Sequence, residues 1–165
     1  MTASRRTILA GAVFAGLGLS LASAGAAPPT SFPFRLPDEE WRRRLTAEQF
    51  RVLRQHATER AFSSPLDREH RTGKFHCAGC EHAVFDSAAK FDSGTGWPSF
   101  FEPIAGGIGT SEDRSLFFRT QTEVHCANCG SHLGHVFNDG PRPSGLRYCM
   151  NGVPMVFRPA GAAAS

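Results

Sequence analysis

The chain has 165 residues, 41% of them hydrophobic, which suits one globular domain plus an appendage. Fourteen Phe against one Tyr, with 17 Gly and 11 Pro, favour short strands and many turns over a helical bundle. The formal charge is +3, and without Arg5 and Arg6 the remainder carries 16 basic and 15 acidic residues, a net of +1. That balance excludes the strongly basic face that nucleic acid requires, and the scattered acidic residues form no acidic tail.

Ser4-Arg5-Arg6-Thr7-Ile8-Leu9 precedes an apolar Gly/Ala-rich run from Ala10 to Ala22, followed by Ala24-Gly25-Ala26, a small-x-small cleavage site. Residues 1–26 therefore read as an export leader. The paired arginines resemble a twin-arginine signal, with an ordinary Sec signal as the alternative. The expected destination is the periplasm, with no stable membrane insertion after cleavage. No other segment approaches the roughly 18 consecutive apolar residues of a span.

Residues 27–40 read as a linker, extended and rich in Pro, Ser and Phe up to Pro37, ahead of a single domain over 41–158 and a tail over 159–165. The basic run Arg42-Arg43-Arg44 is a solvated face. A helix starts at Thr46, the N-cap of a capping box closed by Gln49, with Leu45 and Phe50 as a hydrophobic staple. Phe50, Leu53 and Ala57 form its buried stripe, and Ser63-Ser64-Pro65 stops it. Short strands are expected over Gly73–His76 and Ala83–Phe85, either side of a Cys77-x-x-Cys80 knuckle. Lys90–Phe101, dense in Gly, Pro and aromatics, is a shaped loop in which Trp97 is either a core residue or the wall of a small apolar pocket. A strand over Ser115–His125 leads into a second knuckle, Cys126-x-x-Cys129, and His132–Phe137 turns into another strand. Asn138-Asp139-Gly140-Pro141 is a turn. Leu146–Asn151 alternates, so Arg147, Cys149 and Asn151 share one face, with Leu146, Tyr148 and Met150 on the other. Pro154–Phe157 supplies a last strand. The fold class is mainly β with one helix at the front.

The two knuckles are separated by 45 residues and can offer four thiolates, Cys77, Cys80, Cys126 and Cys129, to one tetrahedral structural zinc. In an oxidising compartment the same four could form disulfides, whereas export of an already folded protein allows zinc to be loaded first. His76 and His82 flank the cysteines as surface residues rather than ligands. Cys149 is left over. With Arg147 on its own strand face, and His132 and His135 on a turn that can fold over it, it is a candidate nucleophile. The bland reading, an inert buried cysteine, fits poorly with Arg and Asn as its neighbours on that face.

Five blocks in order resemble the B-type methionine sulfoxide reductases, also called the SelR family. They are Cys77-x-x-Cys80, Gly94-Thr95-Gly96-Trp97-Pro98-Ser99-Phe100, Cys126-x-x-Cys129, His132-Leu133-Gly134-His135-Val136-Phe137 and Arg147-Tyr148-Cys149-Met150-Asn151. The resemblance runs from about Trp41 to Phe157. It implies two antiparallel sheets in the β-tent arrangement with a structural zinc site, and reduction of the R epimer of methionine sulfoxide, free or in oxidised proteins. Cys149 matches the catalytic cysteine that becomes a sulfenic acid, and His132 and His135 match the histidines that orient and protonate the sulfoxide oxygen. Trp97 matches the residue packing the substrate methyl, while Arg147, Asn151 and Asp139 match polar residues lining the pocket. Thr95 stands where many members carry a resolving cysteine, which implies a one-cysteine enzyme regenerated by an external thiol such as a periplasmic thioredoxin-like domain. The expected form is a monomer. Two rivals remain: a non-catalytic zinc-binding interaction module, which leaves Cys149, Trp97 and the histidine pair without a task, and a dithiol oxidoreductase using a CxxC as its redox pair, which tightly bound zinc would remove.

Overall fold

The computed structural model describes residues 31–113 and 120–161. The leader over 1–26 and the first part of the strand expected from Ser115 lie outside the described residues. Among the described residues two α-helices, α1 (Asp38–Arg44) and α2 (Ala47–Gln55), precede nine strands in two antiparallel sheets. The strands are β1 (Gly73–Cys77), β2 (Ala83–Asp86), β3 (Lys90–Phe91), β4 (Ser99–Phe100), β5 (Ile108–Asp113), β6 (Gln121–Cys126), β7 (His132–Phe137), β8 (Arg147–Met150) and β9 (Met155–Pro159). The smaller sheet runs β2-β1-β9 and the larger β3-β4-β8-β7-β6-β5. No helix among the described residues is long and apolar enough to cross a membrane.

The front of the domain carries one more helix than the sequence reading gave. Asp38–Arg44 follows Pro37 with three acids in its first turn and three arginines in its last, so its charges oppose the helix dipole at both ends. Trp41, 1% exposed, is its anchor, with the Phe34 ring 5.7 Å away edge-on. The stretch read as linker is thus partly held, because Phe34 N–H also donates to Asn128 C=O at 2.9 Å. α2 begins as expected: the Thr46 and Gln49 capping box is present in both directions. It stops at Gln55 rather than at Ser63, because His56 takes a left-handed conformation (φ 55) and closes the helix as its C-cap. Phe50, Val52 and Leu53 are its buried residues, and Ala57 falls beyond its end.

The core lies between the sheets and under the helices. Phe85 stacks on Phe100 at 4.3 Å, and Phe75 meets Phe100 edge-on at 4.9 Å, all three fully buried. The loop expected over Lys90–Phe101 is pinned at both ends, since Lys90 and Phe91 pair with Phe100 and Ser99. β5 is an addition: Ile108–Asp113 pairs with all of β6 as the edge of the larger sheet.

Candidate active site and metal site

The larger sheet builds one site by register. Ser99 pairs with Cys149, Cys149 with His135, His135 with Glu123, and Glu123 with Ser111. Residues directly opposite one another in antiparallel strands point to the same face, so this row crosses five strands on one side of the sheet. His132 lies three residues before His135, an odd spacing that a regular strand would send to the other face. The register shifts between Val124 and His125, where His125 pairs with His132, and a bulge of this kind re-aims a side chain. The two imidazoles consequently meet at 5.3 Å, edge to face. Close approach of β7 to β8 requires Gly134, where a Cβ would fall 2.2 Å from the Cys149 carbonyl oxygen.

His132 is fully buried, and its Nδ1–H donates to Glu123 Oε1 at 2.8 Å. Its Nε2 is the notable atom: buried, with no hydrogen-bond partner among the described residues. An orphaned buried nitrogen costs free energy unless something else partners it. His135 Nε2–H donates to Asp113 Oδ2 at 2.8 Å. Glu123 also accepts from His56 Nδ1–H at 3.0 Å and from Ser111 Oγ–H at 2.7 Å. Burial pushes the Glu123 carboxyl up, but these three bonds together pull it well below the usual carboxylate range, so it is ionised at neutral pH. The same Glu123 bond raises His56 against the lowering effect of burial. Sequence reasoning missed Glu123, His56, Ser111 and Asp113.

Cys149 is half-buried, with its Sγ 3.9 Å from Thr95 Oγ1. Thr95 is held in turn by Ser93, whose hydroxyl lies 2.8 Å from that of Thr95 and 2.7 Å from that of Ser99. Burial pushes the Cys149 thiol up, and the Arg147 guanidinium and the Thr95 hydroxyl pull it only part of the way back. The resting thiol is therefore less acidic than an open one, not more. A folded state that favours the protonated form releases its proton late. Labelling of Cys149 by iodoacetamide, followed on its own peptide by mass spectrometry, is expected to rise with pH through a midpoint above the ordinary 9.0. Arg147→Ala should move that midpoint higher still; a midpoint below the ordinary value would contradict the burial argument.

Arg147 makes two parallel bonds to Asp139, at 2.9 and 2.8 Å, and lies over the Phe137 ring at 4.6 Å. Asp139 itself is exposed. Asn151, expected on the pocket lining, is 3% exposed, and the main chain engages both ends of its amide. Its Oδ1 accepts from Glu59 N–H at 2.9 Å and its Nδ2 donates to Leu133 C=O at 3.1 Å, which ties β8 to the segment after α2. Trp97 is half-buried, its Nε1–H donating to Glu59 C=O at 3.2 Å, so the ring is neither free nor fully in the core. The Glu59 carboxylate completes this latch by accepting from Gly152 N–H at 2.7 Å and Val153 N–H at 2.8 Å.

The four knuckle cysteines converge at the far end of β1 and β6. All five cysteines are free, and the Sγ atoms of Cys77, Cys80, Cys126 and Cys129 lie within 4.8 Å of one another. The cross-knuckle approaches are 3.7 Å for Cys77 to Cys129 and 3.6 Å for Cys80 to Cys126. Four thiolates at about 2.3 Å from a tetrahedral zinc stand roughly 3.8 Å apart, so the cluster fits such an ion, with its sulfurs well beyond the length of a disulfide bond. The two knuckles use one turn: Glu81 N–H donates to Cys77 C=O and Gly130 N–H to Cys126 C=O, at 2.8 and 2.9 Å. Glu81 and Gly130 both have left-handed backbones, φ 63 and 68. His76 and His82 donate instead to the carbonyls of Glu81 and Gly106.

A family model described as the SelR domain matches residues 45–159. The chain is 52% identical over 122 residues to a peptide methionine sulfoxide reductase MsrB of Agrobacterium fabrum, a match spanning 74% of this chain and 90% of that protein. It is 54% identical over 124 residues to the MsrB of Leifsonia xyli, spanning 74% and 88% respectively. With the chloroplastic peptide methionine sulfoxide reductase B1 of rice it shares 49% over 123 residues, which is 74% of this chain and 58% of the rice protein. With the SelR model matching residues 45–159 and relatives about half identical over most of their own length, the chain belongs to the SelR family, that of the MsrB peptide methionine sulfoxide reductases.

Proposed function

We propose that this chain reduces the R epimer of methionine sulfoxide in oxidised proteins to methionine, with Cys149 as the nucleophile. The observation that carries the reading is the buried, unpartnered Nε2 of His132 in the same constellation as the Cys149 thiol and His135. The Cys149 thiolate attacks the sulfoxide sulfur. Negative charge builds on the sulfoxide oxygen, and His132 Nε2, oriented by Glu123 through its other nitrogen, is suited to deliver a proton there. The oxygen ends on Cys149 as a sulfenic acid and methionine leaves, so the cysteine is oxidised by two electrons as the sulfoxide is reduced by two. Two external thiols then return the cysteine to a thiol, releasing water and their own disulfide. Thr95 in place of a resolving cysteine supports that one-cysteine cycle. Trp97 offers its open face to the substrate methyl, and Arg147 with Asp139 polarises the thiol's edge of the site.

Cys77, Cys80, Cys126 and Cys129 would hold one structural zinc, which when bound cross-links the two knuckles. The twin-arginine pattern at Arg5 and Arg6 supports export to the periplasm, where a thioredoxin-like domain is the fitting donor, and the chain would act there as a monomer.

The test is incubation of the purified mature protein with separated R and S epimers of a sulfoxide peptide and dithiothreitol. Turnover of R alone is expected; reduction of S, or of neither epimer by folded protein, would sink the reading. Glu123→Gln removes the charge that orients His132 and should lower kcat roughly 10²-fold. It should also lower the NMR titration midpoint of His56, because the Glu123 bond is the main cause of its rise. Unchanged kcat in a folded variant would remove Glu123 from the mechanism.

A further inference from the structure

We propose that Phe62 is a contact for an apolar side chain adjoining the methionine sulfoxide of a polypeptide substrate, so that the enzyme favours apolar-flanked sites. The inference rests on the reductase reading and names a substrate preference of the same site. Among the described residues the large hydrophobic side chains left exposed are Phe62, at 64%, and Val156, at 44%, and Val156 lies on β9 in the other sheet. A lone exposed hydrophobe is ordinary. What sets Phe62 apart is how firmly it is held in the open.

Its backbone is left-handed, φ 64, a conformation that residues with a Cβ rarely adopt and that the surroundings must enforce. Phe62 N–H donates to Gly96 C=O at 2.7 Å, and three residues earlier Glu59 C=O accepts from the Trp97 indole at 3.2 Å. The ring lies against Gly96 so closely that a Cβ there would come within 2.7 Å of it. Gly96 in turn sits between Trp97 and Thr95, whose hydroxyl is 3.9 Å from the Cys149 thiol. The segment is anchored on its far side by Glu59, through the backbone of Gly152 and Val153.

The result is an exposed aromatic side chain held on Gly96, next in sequence to the Thr95 that approaches the reacting cysteine. Contact with a side chain whose backbone is already held costs no further main-chain ordering there, so apolar area buried on it counts toward binding. Free methionine sulfoxide has no flanking side chain to lay on it. A residue next to a sulfoxide in an unfolded or loop segment does, because an extended chain advances only about 3.3–3.6 Å per residue.

Two R-sulfoxide peptides, identical except for Leu or Ser on either side of the sulfoxide, test this with dithiothreitol as reductant. For the wild-type protein kcat/KM should favour the Leu peptide about five- to tenfold, expressed in KM rather than in kcat. Phe62→Ala and Phe62→Gly should both bring the ratio close to one, and Phe62→Trp should keep it. The glycine variant relaxes the left-handed backbone while removing the ring, so it still reports if the alanine variant is unstable. A wild-type ratio near one, or a ratio that survives in the glycine variant, overturns the inference. If the wild-type protein reduces neither peptide, the reductase reading itself fails.

Discussion

Replacing Cys149 by serine is expected to lower turnover of an R-sulfoxide peptide by about 10⁴-fold or more, with the fold intact. Serine keeps the shape but not the polarisable thiolate, and an alkoxide is out of reach at neutral pH. The structural cost is small. The Cys149 side chain has the long 3.9 Å approach to Thr95 and an interaction with the Arg147 guanidinium, both of which a serine hydroxyl can keep, and the residue is half-buried. A thermal melt of the variant should therefore lie within about 1 kcal/mol of the wild type. The oxidised product gives a second readout on the native chain. One equivalent of sulfoxide without reductant should yield one equivalent of methionine and a dimedone adduct on the peptide bearing Cys149. Appearance instead of a disulfide between Cys149 and Cys77, Cys80, Cys126 or Cys129 would overturn the one-cysteine cycle, as would serine-variant turnover within tenfold of wild type.

Much of this site is readable because its residues cluster in short blocks. Cys149 and Arg147 stand on one alternating strand, and the knuckles announce themselves by spacing. The capping box of α2 is a purely local signal, and it is present. The parts that were not legible depend on pairing at a distance. Glu123 reads as one acid on a half-polar strand until β6 is laid beside β7, and Glu59 bonds partners 92 to 94 residues away. His56 hides its role because a histidine, not a glycine, ends α2. The odd spacing of His132 and His135 becomes one face only through the shift at Val124 and His125. For Asn151, strand alternation pointed to the open face, but the chain leaves β8 at Met150 and turns the amide inward.

Two misses in the fold have local causes. α1 carries a single large apolar anchor, Trp41, so it has no stripe to read; its signal was the order of charges after Pro37. β5, Ile-Gly-Thr-Ser-Glu-Asp, lacks alternating hydrophobic residues because it is an edge strand whose partner supplies the buried side chains.

Loss of the knuckle metal should cost the domain most of its stability. The purified protein is expected to carry one zinc per chain, and Cys129→Ser or prolonged chelation to remove it, with a fall of at least about 5 kcal/mol in unfolding free energy. That loss is comparable with the whole net stability of an ordinary domain, so the metal-free chain should be largely unfolded at 37 °C. The reasoning is geometric. Without an ion, four sulfurs crowd within 4.8 Å, three of the four cysteines being buried, and the thiols of the two knuckles meet one another only in weak contacts. Both helices depend on that junction. Arg54 of α2 reaches Cys129 C=O and Ser131 Oγ at 3.5 and 3.4 Å, while its guanidinium lies 5.0 Å over the Trp41 ring of α1. Trp41 itself packs on Gly79 inside the first knuckle. His56 closes α2 one residue beyond Gln55, so loosening the knuckles should also loosen its bond to Glu123 and cut turnover before global unfolding. Metal content by mass spectrometry, with melts of wild type, Cys129→Ser and Cys149→Ser side by side, checks both claims. The last variant keeps its zinc and its melting point if the five cysteines divide as the geometry divides them. A wild-type protein free of metal, with all five thiols titratable and an equally high melting point, would show that packing alone holds the knuckles together.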